Sequence, residues 1–267
     1  MLIIGEKINS TRKSIDRAIK NGDRDAIAAE AVRQAQAGAH YLDVNCGTVD
    51  AAHEASTLKW LITIVQEATG LPICIDSPNP EALAAGLAVH QGRPIINSIS
   101  GEKERFDRVL PLVKQYDAGV VALCLDDRGI PRSREATIEV GGRLIDSLLE
   151  AGIAPEQIYL DPLVRSLATS PETVLDTLAL MRTLAAKYTD VHFVSGLSNV
   201  SYGLPGRRHL NRAYVVMSIE SGLDAVIMDP LDAAMQALIY AAESLANKDR
   251  FCMAYIRAHN EGRLEVG

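Results

Sequence analysis

Eight times along the chain a short apolar run of four to seven residues closes on a small polar or acidic side chain and gives way to a helical segment. The runs cover 2–6, 41–45, 71–77, 94–98, 120–125, 157–162, 192–195 and 225–230. Helices are expected over 25–36, 51–68, 80–90, 102–115, 135–150, 170–187, 212–220 and 232–246. The helix at 102–115 sets Phe106, Val109, Leu110 and Val113 on one face, and Gly38, Gly70, Gly92 and Gly222 stand where helices stop. Parallel strands need a long crossover, which a helix between every two strands supplies. Eight such units predict an α/β fold, a TIM (β/α)8 barrel. No shift in composition marks a linker, so 1–267 reads as one domain, and 48% hydrophobic residues suffice for its core. Three smaller features are a short helix at 15–19, a Gly/Pro-rich loop at 202–208 that could serve as a flap, and a last short helix from 251.

A net charge of −7 gives the surface no general attraction for nucleic acid or anionic lipid. The apolar start Met1-Leu2-Ile3-Ile4 is too short for a secretory segment, and no run reaches the ~18 residues of a membrane span, so the expected compartment is cytoplasmic. Cys46, Cys74, Cys124 and Cys252 stand far apart and read as buried, reduced core residues. The six histidines are scattered without a His-Glu-x-x-His helix, and no bound metal is expected.

In a barrel of this kind the reacting groups gather where strands end. Those positions carry Glu6 and Asn9, Asp43 and Asn45, Asp76 and Ser77, Asn97 and Ser98, Asp126, Asp161, Ser198 and Asn199, and Asp229. Singly each is ordinary turn chemistry, and Ser198 and Asn199 also suit a helix cap. Together they form a ring of carboxylates and amides with no histidine and only Lys7 as a lysine. Such a ring is a poor phosphate or Schiff-base site. It suits a neutral, flat heterocycle rich in N–H donors, which Gly196 would let approach the backbone. A pterin fits: its pyrimidine edge offers an exocyclic amine and a ring N–H to a carboxylate, and another edge exchanges paired hydrogen bonds with an amide.

Gly5-Glu6-x-Ile8-Asn9, Leu42-Asp43-x-Asn45, Ile75-Asp76-Ser77, Ile96-Asn97-Ser98, Asp161-Pro162-Leu163 and Gly196-Leu197-Ser198-Asn199-Val200-Ser201, followed by Arg207 and Asn211-Arg212, span essentially the whole chain. In this order they resemble the methyltetrahydrofolate:corrinoid protein methyltransferases. The resemblance implies a pterin-binding barrel, usually a homodimer, that moves a methyl group between N5 of tetrahydrofolate and the cobalt of a separate corrinoid protein. It also implies that Asp76, Asn97 and Asp161 hold the pterin and that Asn199 hydrogen-bonds N5. The pterin-binding set expected on these grounds is Glu6, Asn9, Asn45, Asp76, Asn97, Asp161, Gly196, Ser198, Asn199 and Arg207. Arg207 has two readings, facing the folate tail or the corrinoid partner, and equally suits a solvated loop. The cobalamin is expected on the partner, since the chain has no Asp-x-His-x-x-Gly loop.

Breaking the N5–methyl bond would expel an amide-like anion unless N5 gains a proton or a strong hydrogen bond at the transition state. Asn199 can donate to N5 or, rotated, accept from its proton. It is no general acid, so the proton would come from solvent or through a relay including Asp43 or Asp76, which makes Asn199, Asp43 and Asp76 the candidate catalytic residues. Two alternatives share this pocket. A dihydropteroate synthase-like enzyme would need an Arg-x-His set at the mouth, whereas Arg257-Ala258-His259 lies well past the last strand. A non-catalytic folate-binding protein is separable only by assay.

Overall fold

The computed structural model describes residues 1–265; residues 266 and 267, the end of the expected domain, lie outside the described residues. Strands β1 (Leu2–Asn9), β2 (Tyr41–Asn45), β3 (Ile73–Asp76), β4 (Ile95–Gly101), β5 (Gly119–Asp126), β6 (Ile158–Asp161), β7 (His192–Gly196) and β8 (Ala225–Met228) pair in parallel, in sequence order, as a closed barrel. Around it run α1 (Lys13–Asn21), α2 (Arg24–Gln36), α3 (Ala51–Thr69), α4 (Pro80–Leu87), α5 (Lys103–Gln115), α6 (Arg134–Glu150), α7 (Thr173–Lys187), α8 (Arg207–Glu220) and α9 (Ala233–Leu245), and α10 (Met253–Asn260) follows. The expected TIM barrel is thus the fold observed.

Alternation along each strand divides the apolar residues between two cores. One set, with Leu42, Val44, Ile75 and Ile96, packs outward against the helices. The other, with Ile4, Cys74, Ile95, Val121, Val194 and Ala225, fills the barrel interior. Tyr159 and His192 stack at 4.8 Å on neighbouring strands at its lower end. The same two-residue step that points Cys74 and Ile95 inward points Asp76 and Asn97 inward one layer higher, so the interior turns from apolar to polar toward the strand ends.

Local geometry departs from the sequence expectation at several places. β1 runs on to Asn9 through an irregularity between Gly5 and Ile8. At Gly5 α2 comes so close that an added Cβ would lie 2.5 Å from Oε1 of Gln34, an atom already accepting from the Lys7 N–H. The short helix expected at 15–19 spans α1, which ends at Gly22 in the left-handed conformation. α7 starts at Thr173, beyond the Ser-Pro pair at 170–171. α8 starts at Arg207 and not at 212, because its first turn is polar and carries no apolar periodicity to announce it. Cys46, Cys74 and Cys124 are buried as expected, but Cys252 is exposed, since it precedes α10 on the surface and not within a strand.

Candidate active site

A cavity of about 530 Å³ opens at the C-terminal ends of the strands. Of the side chains singled out in the sequence, Glu6, Asn9, Asp43, Asp76, Asn97, Asp161, Ser198, Asn199 and Arg207 line it, with Gly196 supplying backbone. They come from β1, β2, β3, β4, β6 and the segment after β7, and barrel closure brings them together across gaps of up to 201 positions.

The floor is a hydrogen-bonded set. Asn97 Nδ2 donates to Asp43 Oδ1 at 3.3 Å, and Asn45 Nδ2 donates to Asp76 Oδ2 at 2.9 Å. Asn45 is absent from the cavity lining; its amide braces Asp76 and its Oδ1 accepts from the Gly47 N–H. Asp161 accepts from the Leu163 N–H at 2.8 Å, which closes a turn over Leu163 in the left-handed conformation. The upper wall joins β1 to the β7 exit: Glu6 Oε1 accepts from Arg12 at 3.1 Å and from Ser198 Oγ at 3.3 Å. Leu197–Asn199 form a single 3₁₀ turn. Arg207 steadies that turn by donating to the Ser198 carbonyl and, at 3.1 Å, to Ser201 Oγ. The Asn199 side chain is exposed in the wall, and no hydrogen bond from another described residue engages its amide.

Burial sets the ionisation of the floor. Loss of solvent raises the Asp76 carboxyl to about 6, against the opposing effects of the Asn45 amide and the Arg105 guanidinium. It raises Asp161 to about 6 as well, offset in part by backbone N–H groups of Leu163 and Gly196. Asp43, fully enclosed, is raised well above the ordinary carboxylate range, by burial first and then by the neighbouring Asp76. Glu6 is raised by burial, with Arg12 and Ser198 pulling the other way. The cavity therefore offers the carboxyls of Glu6, Asp43, Asp76 and Asp161, the amides of Asn9, Asn97 and Asn199 and the hydroxyls of Thr11 and Ser198, a set matched to a flat ligand with several N–H groups.

Besides Asn45, four strand-end residues do not reach this cavity. Asp126 is held by Arg128 at 2.8 Å and Arg143 at 2.9 Å outside the barrel; Leu123 faces inward, so alternation turns the residue three places on outward. Asp229 pairs with Lys7 at 3.2 Å. Ser77 gives its hydroxyl to buried Glu54 at 2.5 Å, and Ser98 faces an adjoining recess of about 350 Å³. Arg208 is exposed, and Arg212 pairs with Asp232 at 2.6 Å. Sequence reasoning missed Thr11, Arg12, Leu123, Leu163 and Ile227 in the lining. Alternation could have found Leu123, two residues beyond interior Val121. Among the described residues no group of three or more His, Cys, Asp or Glu is placed to hold a metal ion.

Comparison with known proteins agrees with this geometry. The model of the pterin binding enzyme family matches residues 5–229. The chain is 37% identical over 266 residues to the methylcorrinoid:tetrahydrofolate methyltransferase of Eubacterium limosum, covering 99% of this chain and 98% of that one. It is 32% identical over 248 residues to the methionine synthase of Mycobacterium tuberculosis, covering 85% of this chain but 20% of that much longer protein. Among solved structures, Xanthomonas albilineans dihydropteroate synthase with 4-aminobenzoic acid superposes with a TM-score of 0.71 at 20% identity, over 92% of this chain and 93% of the other. A dihydropteroate synthase from Coxiella burnetii superposes with a TM-score of 0.70 at 16% identity, over 93% and 94%. At such identities the superpositions speak for the fold alone. The chain belongs to the pterin binding enzyme family and, within it, to the family of methylcorrinoid:tetrahydrofolate methyltransferase.

Proposed function

We propose that this protein transfers a methyl group between N5 of tetrahydrofolate and the cobalt of a separate corrinoid protein, with both folate and corrinoid as substrates. The observation that carries the reading is the meeting of Asp76, Asn97, Asp161 and Asn199 on one cavity, in a chain 37% identical to a methylcorrinoid:tetrahydrofolate methyltransferase. Asp76 and Asp161 accept from the exocyclic amine and ring N–H groups of the pterin, and Asn97 exchanges a donor and an acceptor with its amide edge. Glu6, Asn9, Gly196 and Ser198 border the ring, Asn45 acts on it through Asp76, and Arg207 holds the turn bearing Asn199 beside the folate tail.

Toward cobalt, the N5–carbon bond breaks, its electron pair stays on nitrogen, and nitrogen takes up a proton, while the reduced cobalt of the corrinoid substrate supplies both electrons of the new cobalt–carbon bond and is oxidised by two; in the other direction each change is reversed. Asn199, whose amide no other described side chain engages, meets that nitrogen with a donor or an acceptor as its protonation changes. Asp43, whose carboxyl burial and Asp76 raise well above the ordinary range, stands with Asp76 on the cavity as the relay for that proton. The corrin approaches from the open face of the barrel on its own protein.

The described chain works as one pterin-binding domain, and its working unit is a cytoplasmic homodimer. Exposed Leu245, Phe251 and Met253 along α9 and α10 provide an apolar face for the dimer, and sedimentation at twice 28.8 kDa tests it. No helix of the described residues is long and apolar enough to cross a membrane. The dihydropteroate synthase alternative finds no support at the mouth, because Arg257 and His259 stand on α10, outside the cavity. Mixing the protein with methyltetrahydrofolate and reduced cobalamin should change the cobalt absorption at a rate proportional to enzyme. No spectral change, together with no tetrahydrofolate binding by calorimetry, would overturn the proposal; binding without transfer would leave a folate-binding protein.

A further inference from the structure

One guanidinium ties together the backbone directly after Asp76 and directly after Asn97. Arg105, in the first turn of α5, donates through Nε to the Ser98 carbonyl at 2.8 Å and through Nη2 to the same oxygen at 2.5 Å. Nη2 also donates to the Ser77 carbonyl at 2.9 Å, and Nη1 donates to the Pro78 carbonyl. Ser77 directly follows Asp76 on β3, and Ser98 directly follows Asn97 on β4. The Ser77 and Pro78 carbonyls lie past the end of β3 and the Ser98 carbonyl lies at the irregularity in the pairing of β4 with β5, so the planar fork of an arginine supplies donors where the regular ladder is interrupted. From the opposite side, Ser77 Oγ and Asn79 Nδ2 donate to buried Glu54 on α3, at 2.5 and 3.2 Å. The β3 exit is thus gripped between a cation and an anion.

We infer that Arg105 is a positioning residue for the proposed reaction: it locks the backbone that follows Asp76 on β3 and Asn97 on β4 so that both side chains face the cavity, and its positive charge keeps the Asp76 carboxylate ready to accept. The inference rests on the function proposed above. The charged and titratable groups around Asp76 are Asp43 on β2, Cys46 after β2, Cys74 on β3, Glu54 on α3 and Arg105 on α5. Arg105 is the sole cation of that set, and its field opposes the burial that raises Asp76 to about 6. A ligand amine needs the ionised form of Asp76, so affinity is present above this value and is lost as pH falls through it.

The test is calorimetric titration of tetrahydrofolate into the full chain across pH 5 to 8, comparing wild type, Arg105→Gln and Arg105→Lys, with thermal melts as a folding control. Arg105→Gln is expected to bind about tenfold more weakly at pH 8 and to move the midpoint of the affinity loss up by about one pH unit. Arg105→Lys keeps the charge without the fork, so its midpoint should return near the wild-type value while its affinity stays reduced. A purely structural arginine would lower affinity equally at every pH. Midpoints that coincide for wild type and Arg105→Gln would overturn the electrostatic role, and coinciding affinities would overturn the clamp. Should Arg105→Gln not fold, an Arg105→Lys protein matching wild type in affinity overturns the clamp. Failure of the wild type itself to bind tetrahydrofolate would instead count against the proposed function.

Discussion

The Asn97 amide donates to Asp43 across 3.3 Å, joining β4 to β2 past the intervening β3, whose own Asp76 stands beside Asp43 on the cavity floor. The bond is long, and it is supplied by a neutral donor to a carboxyl cut off from water. It therefore offsets only part of the cost of removing a charge from solvent, and burial together with Asp76 holds the Asp43 carboxyl well above the ordinary carboxylate range.

Asp161 makes the apo protein less stable in alkaline solution. Its folded-state value, about 6, lies above the ordinary 3.8, so the folded chain binds the proton more readily than the unfolded one. The stability it contributes is present below the lower value and is lost as pH rises through the higher. Asp161→Asn keeps an oxygen for the Leu163 N–H and removes the charge, so urea unfolding should show a gain of about 3 kcal/mol at pH 8, shrinking toward zero near pH 4. Pterin binding should weaken in the same variant. An unchanged pH dependence would refute the assignment of a raised carboxyl.

Asn199→Ala separates chemistry from binding. The floor groups that hold the ring are untouched, so the calorimetric dissociation constant of tetrahydrofolate should change less than about tenfold, while turnover with reduced cobalamin should fall on the order of 100-fold. Equal losses in both would place Asn199 among the binding groups, and no loss in either would remove it from the site.

Gly101→Ala tests how closely β4 and β5 approach where they open toward the mouth. An added Cβ would meet the Leu125 carbonyl at 2.9 Å, a backbone atom that cannot swing aside as a side chain would. Unfolding should become easier by about 1 to 3 kcal/mol. Because Asn97 lies on the same strand, folate affinity should fall along with stability.

The barrel was legible in the sequence because the crossover rule leaves little else for eight strand-and-helix units, and the two-residue step that buries Cys74, Ile95 and Tyr159 already aims Asp76, Asn97 and Asp161 at the interior. The same step, counted from Val121 and Leu123, would have turned Asp126 outward; strand-end position alone does not decide the facing. Only the closed tertiary structure determined which polar groups share the cavity, that Glu6 meets Ser198 and Arg12, that Asn45 serves Asp76, and that Arg105 binds the backbone after both Asp76 and Asn97. The reason is physical: alternation is set by neighbours along the chain, whereas burial, pairing and the protonation they impose depend on groups that are distant in sequence until the barrel closes.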